Sequence, residues 1–352
     1  MDDKKVSKKL NRIAVTLLFI ALSTGNIRAL DALNNDPPSS EADQMLNIRI
    51  NVTNEKELKK AAETAGSGTF KTLTIYVQPK TYRVRDTIRI KKSNVRIVFE
   101  PGVKFLLGDH ANNPVIGIGD WGNPPAKIIS NIYISGNGLE VDGNKANQDS
   151  EYCTDFPWIR NNGIDVRGVH RLTIEDVIVH DARSGGLVVS WDSSDIRIVN
   201  SSFSSNFFDG VAYYDSERIY TTNCTMMSNG YAAMSLDNNL KDCIFSGCIA
   251  DSNGDVGIFM RYSEQVRFNH CVIKNSGNYA AFLSHDESNN GVHDIMFSGC
   301  QILNNQNGGI YVASTAALSD YTSVIGCVFR GNSGDAVKSD GSVIWEAANI
   351  VQ

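Results

Sequence analysis

One feature constrains this chain more than any other: a short motif, a small residue followed by alternating apolar positions, recurs at near-constant spacing. It reads GIDVRG (163–168), GLVVSW (186–191), GVAYYD (210–215), AMSLDN (233–238), GIFMRY (257–262), AAFLSH (280–285) and GIYVAS (309–314). Successive starting points differ by 23, 24, 23, 24, 23 and 29 residues. After a polar turn, each motif is followed by two more short runs, as in RLTIEDVIVHD and QVRFNHCVIKNS. These runs alternate at period two and none carries a sustained 3.6-residue period. The turns between them are rich in Asn, Asp, Ser and Gly.

A unit of this size with three short strands cannot bury its own apolar face, so successive units must stack to form a continuous core. The pattern predicts an all-β, single-stranded parallel β-helix with coils of about 23–24 residues lying about 4.8 Å apart. It places Gly163, Gly186, Gly210, Ala233, Gly257, Ala280 and Gly309 in one column. A second column, Asp176, Asn200, Cys224, Cys248, Cys271, Cys300 and Cys327, reads as an inward ladder at a turn. Seven cysteines in an exported chain first suggest disulfides. Their odd number and the place of five of them in the repeat point instead to buried free thiols at Cys224, Cys248, Cys271, Cys300 and Cys327, and no spacing typical of zinc occurs. Cys153 and Cys243 lie off the ladder.

The chain before the repeats sets compartment and boundaries. Lys4, Lys5, Lys8, Lys9 and Arg12 precede the apolar run 13–23, and Ala29 and Ala32 follow as small residues at possible cleavage points. This is the pattern of a secretory signal peptide, assigned to residues 1–32, and the run is too short for a stable membrane span. Residues 33–46 read as a polar spacer, 47–345 as the β-helix and 346–352 as a tail. Within the β-helix, 47–70 form an N-terminal cap whose segment NEKELKKAAETAG reads as a short helix closing the open end. A secreted or periplasmic location follows. The net charge of −6 argues against a nucleic-acid partner.

The coil pattern, the segment GNGLEVDGN at 136–144 and the phrase VIVHDARSGGLVV at 177–189 resemble the right-handed parallel β-helix superfamily over about residues 70–345. That superfamily includes pectate lyases, polygalacturonases and mannuronan C5-epimerases, so the resemblance implies an acidic polysaccharide as partner. It does not carry catalytic residues across. Where the epimerase pattern Tyr-Gly-x-Asp-Pro-His-Asp is expected, this chain has Gly-Gly-Leu-Val-Val-Ser-Trp at 185–191, and the polygalacturonase set is missing too.

The repeat itself nominates a site. If positions 1 and 3 after the small residue point inward, positions 2 and 4 point outward. Tyr214, Asp237 and Arg261 then occupy one outward column on consecutive coils, with His285 one coil on and one place along. Phe259, Phe282 and Tyr311 form an aromatic strip beside them, flanked by Trp191 and Tyr262, with Arg167 and Asp215 near by. Exposed aromatics with convergent polar groups suit a saccharide groove. An outward strand position is commonly polar in any case, and cross-coil Asp–Arg pairs are common structural neighbours. His180 and Asp181 read as structural turn residues.

Three activities stay open at this level. Removal of the proton α to a uronate carboxylate, by a lyase or C5-epimerase, needs a neutralising cation, a base and an acid. Arg261 is the candidate for the first role, Tyr214 or His285 for base or acid, and Asp237 for orientation. A glycoside hydrolase needs two carboxylates, which Asp215 and Asp237 could supply. The third possibility is a non-catalytic glycan-binding or structural β-helix. Asp209 and Asp255 could hold Ca²⁺, although no calcium-loop motif is present and the sequence does not require the ion. An outward Arg261→Ala is expected to shift stability by less than about 1 kcal/mol.

Overall fold

The computed structural model describes residues 47–64, 72–315 and 317–352. The segments read as signal peptide and spacer lie outside these residues. Each coil contributes a strand to each of three faces, and every named strand pairing is parallel, as stacked units require. The first face is a ten-stranded sheet that includes Ile164–Arg167, Leu187–Ser190, Val211–Tyr214, Met234–Asp237, Ile258–Met260 and Tyr279–Leu283. The other two faces merge where Ile129–Asp142 and Val169–His180 run through both. The fold is the expected all-β parallel β-helix.

Register on the first face follows the motif. Leu187 pairs with Ile164 and with Val211, Val211 with Met234, Met234 with Ile258, Ile258 with Ala281, and Ala281 with Ile310. The small residues preceding them therefore share one column from Gly163 to Gly309. The coils approach closely there: a Cβ on Gly186 would stand 2.6 Å from the Gly210 carbonyl oxygen. Positions 1 and 3 point inward, so Leu187, Val189, Val211, Tyr213, Met234, Leu236, Ile258 and Met260 are all 0% exposed. Elsewhere in the core Phe245, Phe268 and Phe297 stack coil upon coil, with ring centroids 5.0 and 4.8 Å apart.

The cysteine ladder is present, but its first two expected members belong elsewhere. Ser202 pairs with Thr225, and Thr225 with Ile249, which aligns Cys224, Cys248, Cys271, Cys300 and Cys327 behind Ser201. Asp176 and Asn200 stand one place earlier, in a turn column with Asn223, Gly247, His270, Gly299 and Gly326, all with φ between 50° and 62°. Asp, Asn and Gly tolerate that left-handed conformation, and this is the reason for their recurrence. All seven cysteines are buried and free. Cys224 and Cys248 donate through Sγ to the carbonyls of Thr222 and Thr221 at 3.4 and 3.3 Å. A further ladder holds the opposite corner: Asn206 Nδ2 donates to Asn229 Oδ1 at 2.9 Å, and Asn229 Nδ2 to Asn253 Oδ1 at 3.0 Å.

The N-terminal end is closed by strand Asn47–Val52 and helix Glu55–Thr64. Asn54 Oδ1 accepts from the Glu57 N–H at 3.0 Å while Glu57 Oε2 accepts from the Thr53 N–H at 2.9 Å, a reciprocal cap. Leu58, Ala61 and Ala62 face the core. At the other end Ile344–Ala347 and Ile350–Val351 still pair with the preceding coil, so the 346–352 segment read as a tail carries the last rungs. No described helix is long and apolar enough to cross a membrane.

Candidate functional site

On the outer side of the first sheet, pairing sets two columns. Position 2 reads Arg89, Gly117, Asp165, Val188, Ala212, Ser235, Phe259, Phe282 and Tyr311. Position 4 includes Gly119, Arg167, Ser190, Tyr214, Asp237 and Arg261. Outward residues on an exposed sheet would be solvated, yet Asp165, Arg167 and Asp237 are only 2%, 5% and 3% exposed. Two chain segments explain the burial of the first pair.

Residues 120–128 and 143–162 fold back over the upstream coils. Trp121, Cys153 and Ile159 make a small separate apolar cluster with Phe156 packed against it. The Arg89 guanidinium stacks on Trp121 at 3.7 Å from the ring centroid, and a Cβ on Gly117 would stand 2.5 Å from the same indole. Arg167 Nη2 donates to the Gly122 carbonyl at 3.1 Å, and Trp158 Nε1 to the Trp121 carbonyl at 2.8 Å. These contacts deliver Trp158 and Arg160 to the edge of a cleft of about 850 Å³. Its floor is Asp165, Arg167, Val188, Ser190, Ala212 and Tyr214. Phe208 and Asp209 stand on one wall; Trp191, Asp215, Tyr262 and Asp286 stand on the other.

The electrostatics of the cleft are unusual for an outer strand face. Burial pushes the Asp209 carboxyl up to about 6, aided by Asp255, while the Ala232 N–H, 3.0 Å from Oδ1, opposes the shift. Burial likewise pushes Asp165 up to about 6 against the pull of Arg167, its hydrogen bond from Asn162 Nδ2 (2.9 Å) and Arg89. Tyr214 is raised above its ordinary range by burial and by Asp209, and its hydroxyl lies 3.3 Å from Ser235 Oγ. Arg160 is stacked between Tyr152 and Phe208, at 4.9 and 4.7 Å. Arg167 lies over Trp191 at 5.4 Å. Asp165 Oδ1 and Arg167 Nε are buried without a hydrogen-bond partner. Perturbed carboxyls beside cations in a cleft mark a functional-site candidate.

Of the residues nominated from sequence, Tyr214, Asp215, Arg167, Trp191, Tyr262 and Asp209 all line this cleft. Asp237, Arg261 and His285 do not join them. Asp237 is buried beneath Arg261, which donates to it through Nε at 2.9 Å, so each occupies the other. The nearest polar partner of His285 is Ser314 Oγ, 3.4 Å from Nδ1. Phe259, Phe282 and Tyr311 form the expected strip, with centroids 6.2 and 5.5 Å apart, but it lies outside the cleft lining. Sequence reasoning missed Trp158, Arg160 and Phe208, which sit on connecting segments, and passed over Asp165 although it stood in an outward column.

No third acid, histidine or cysteine joins Asp209 and Asp255 as a compact ligand set among the described residues. Asp255 Oδ1 instead accepts from Asn278 Nδ2 at 3.0 Å. The three ligand types that do converge are Glu140, Asp142 and His180. Lys104 already bridges the two carboxylates at 2.7 and 2.9 Å, and His180 spans Glu140 and Asp181 at 3.0 and 2.8 Å. Lys145 meets Asp181 at 3.2 Å, so the three carboxylates face two lysines and a histidine.

The family described as right handed beta helix region matches residues 130–294 and 185–351. No curated protein matches. Among solved structures, ORF18 of Geobacillus virus E2 superposes with a TM-score of 0.64 at 15% identity, over 83% of this chain and 57% of that one. The chain thus spans little more than half of the virus protein. An alginate lyase from Paenibacillus sp. str. FPU-7 superposes with a TM-score of 0.56 at 10% identity, over 86% of this chain and 99% of that one. The A-module of the Azotobacter vinelandii mannuronan C-5 epimerase AlgE6 gives 0.51 at 13% identity, over 84% and 93%. Likeness at these identities is likeness of fold. With two overlapping matches that together take in residues 130–351, this chain belongs to the right-handed β-helix family.

Proposed function

We propose that the cleft binds an acidic polysaccharide and abstracts the proton α to a uronate carboxylate, as a lyase or C5-epimerase does. The observation that carries this reading is the placing of two arginines, Arg160 and Arg167, in the same cleft as Asp209 and Tyr214. An arginine neutralises the substrate carboxylate and makes the adjacent C–H more acidic. Asp209, raised to about 6, is matched to accept that proton near neutral pH. Tyr214 keeps its hydroxyl protonated and is the candidate donor, although burial makes it a weaker acid than a free tyrosine. Asp209 keeps the proton taken from C5. In elimination the C5 electron pair forms the C4–C5 double bond as the C4–O bond breaks, and Tyr214 protonates the leaving glycosidic oxygen; in epimerisation a second proton, from Tyr214, adds to C5 from the opposite face. Trp158, Trp191 and Tyr262 offer surfaces for sugar rings. The similarity in fold to an alginate lyase and a mannuronan epimerase agrees with this substrate class. The basic and apolar pattern of residues 4–23 supports action in a secreted or periplasmic setting.

The test is incubation with a panel of polyuronides in deuterated water. Ultraviolet absorbance of an unsaturated uronate identifies elimination, and deuterium at C5 of intact chains identifies epimerisation. Absence of both across the panel sinks the reading. A second reading, glycoside hydrolysis, is favoured by one observation: Asp165 and Asp209 are two carboxyls of raised pKa in one cleft. Reducing sugar released with neither other signal would select it.

A further inference from the structure

The geometry points to a site that takes the end of a polysaccharide chain rather than its middle, an inference that rests on the saccharide reading above. A groove along a β-helix can run the length of its sheet, because every coil presents the same outward columns. Here it cannot continue upstream. The cleft floor starts at the coil bearing Asp165 and Arg167, and no residue of Ile88–Ile90 or Ile116–Gly119 lines it. Over those two strands the outward side is occupied by Trp121, which covers Arg89 and fills the space above Gly117. Phe156 packs edge-on against Trp121 at 5.4 Å and Trp158 against Phe156 at 5.8 Å, so the plug is a wall of three aromatic rings.

Downstream, among the described residues, no aromatic plug of this kind stands over the outer columns: the wall continues past the floor to Asn238 and Ser288, which are exposed. The cleft is therefore blind upstream and open downstream. At its blind end Arg167 Nε and Asp165 Oδ1 are buried and unpartnered. Buried polar atoms without partners are costly, and both residues line the closed end of the cleft, where an arginine and a carboxyl match the carboxylate and hydroxyls of a terminal sugar. An internal residue of a long chain would need the polymer to pass through the aromatic wall.

The experiment uses the wild-type protein and one polyuronide degraded to fractions of different mean length, assayed at equal uronate mass and below saturation. A chain-end site sees only the ends, so a ten-fold reduction in mean length should raise the initial rate about ten-fold, the concentration of productive sites having risen by that factor. Size-exclusion profiles should show small products from the first turnovers while the bulk polymer keeps its length. Turnover whose rate is independent of chain length, with rapid collapse of polymer size, overturns the chain-end inference and leaves the uronate chemistry standing. No turnover on any polyuronide overturns the chemistry and the inference with it.

Discussion

Arg261 Nε donates to Asp237 Oδ2 at 2.9 Å, tying two adjacent coils together across the outer side of the first sheet. The pair is asymmetric: the arginine side chain is 36% exposed, the carboxylate 5%. The Asn238 N–H, 2.7 Å from Oδ1, completes the carboxylate's partners.

Removing the arginine would strand a buried charge. Arg261→Ala is therefore expected to cost about 1–3 kcal/mol, more than the value for a solvated outward residue, because the desolvated acceptor remains. Asp237→Asn added to Arg261→Ala should recover part of the loss. Met260→Ala, one residue earlier and facing the core, should cost roughly 2–5 kcal/mol through a cavity. Urea titrations of the four proteins check the ranking, and a silent Arg261→Ala would show that the pair is solvent-screened.

Asp165 should work against stability at neutral pH. Its carboxyl sits at about 6 in the folded chain against an ordinary 3.8. Folding thus favours the protonated form: this contribution is fully present below about pH 4 and is lost as pH rises through about 6. Asp165→Asn is expected to stabilise the protein by about 2–3 kcal/mol at pH 7 and by almost nothing at pH 4. Denaturation across that range decides it; a gap that fails to open with pH refutes the burial argument.

Asp209 should set the acid limb of activity. A base raised to about 6 is protonated and idle below that pH, so kcat/KM should fall as pH drops through about 6. Asp209→Asn should remove the turnover while leaving bound oligosaccharide affinity within a few-fold. A profile whose acid limb lies near 4 would assign the base elsewhere.

The cysteine ladder should be chemically silent. All five ladder cysteines are 0% exposed, so a reagent cannot reach their sulfurs, and burial pushes the Cys224 thiol, and that of Cys243 off the ladder, up to about 12. A thiol reagent should label none of the seven cysteines in the native protein and all seven after denaturation. A native disulfide found by peptide mapping would overturn the stacking.

The asparagine ladder should carry real stability. Asn229 Nδ2 also donates to the Phe203 carbonyl at 3.1 Å, so Asn229→Ala would leave several buried backbone and side-chain groups unpaired, at about 2–4 kcal/mol. Thermal unfolding measures it, and a loss well below 1 kcal/mol would indicate that water substitutes.

The spacing of Gly163, Gly186, Gly210, Ala233 and Gly257, together with period-two alternation, determined the solenoid, its register and which side of each first-sheet strand faces out. These are local regularities: each coil meets an almost identical neighbour, so position in the repeat is position in space. The same logic nearly located the cysteine ladder, and slipped by one residue at Asp176 and Asn200 because Asp and Asn suit both a polar ladder and a left-handed turn; Asn223, directly before Cys224, is their true counterpart. The site was another matter. Asp165 and Arg167 look like solvated strand residues until Trp121, Phe156 and Trp158 arrive from connecting segments that have no period. Arg261 looked available until its geometry bound it to Asp237. Burial by a non-repeating loop, and the pKa shifts and blind end that come with it, depend on contacts between segments about 40 residues apart in the chain, such as Trp158 with Trp121. Only the tertiary structure decided those.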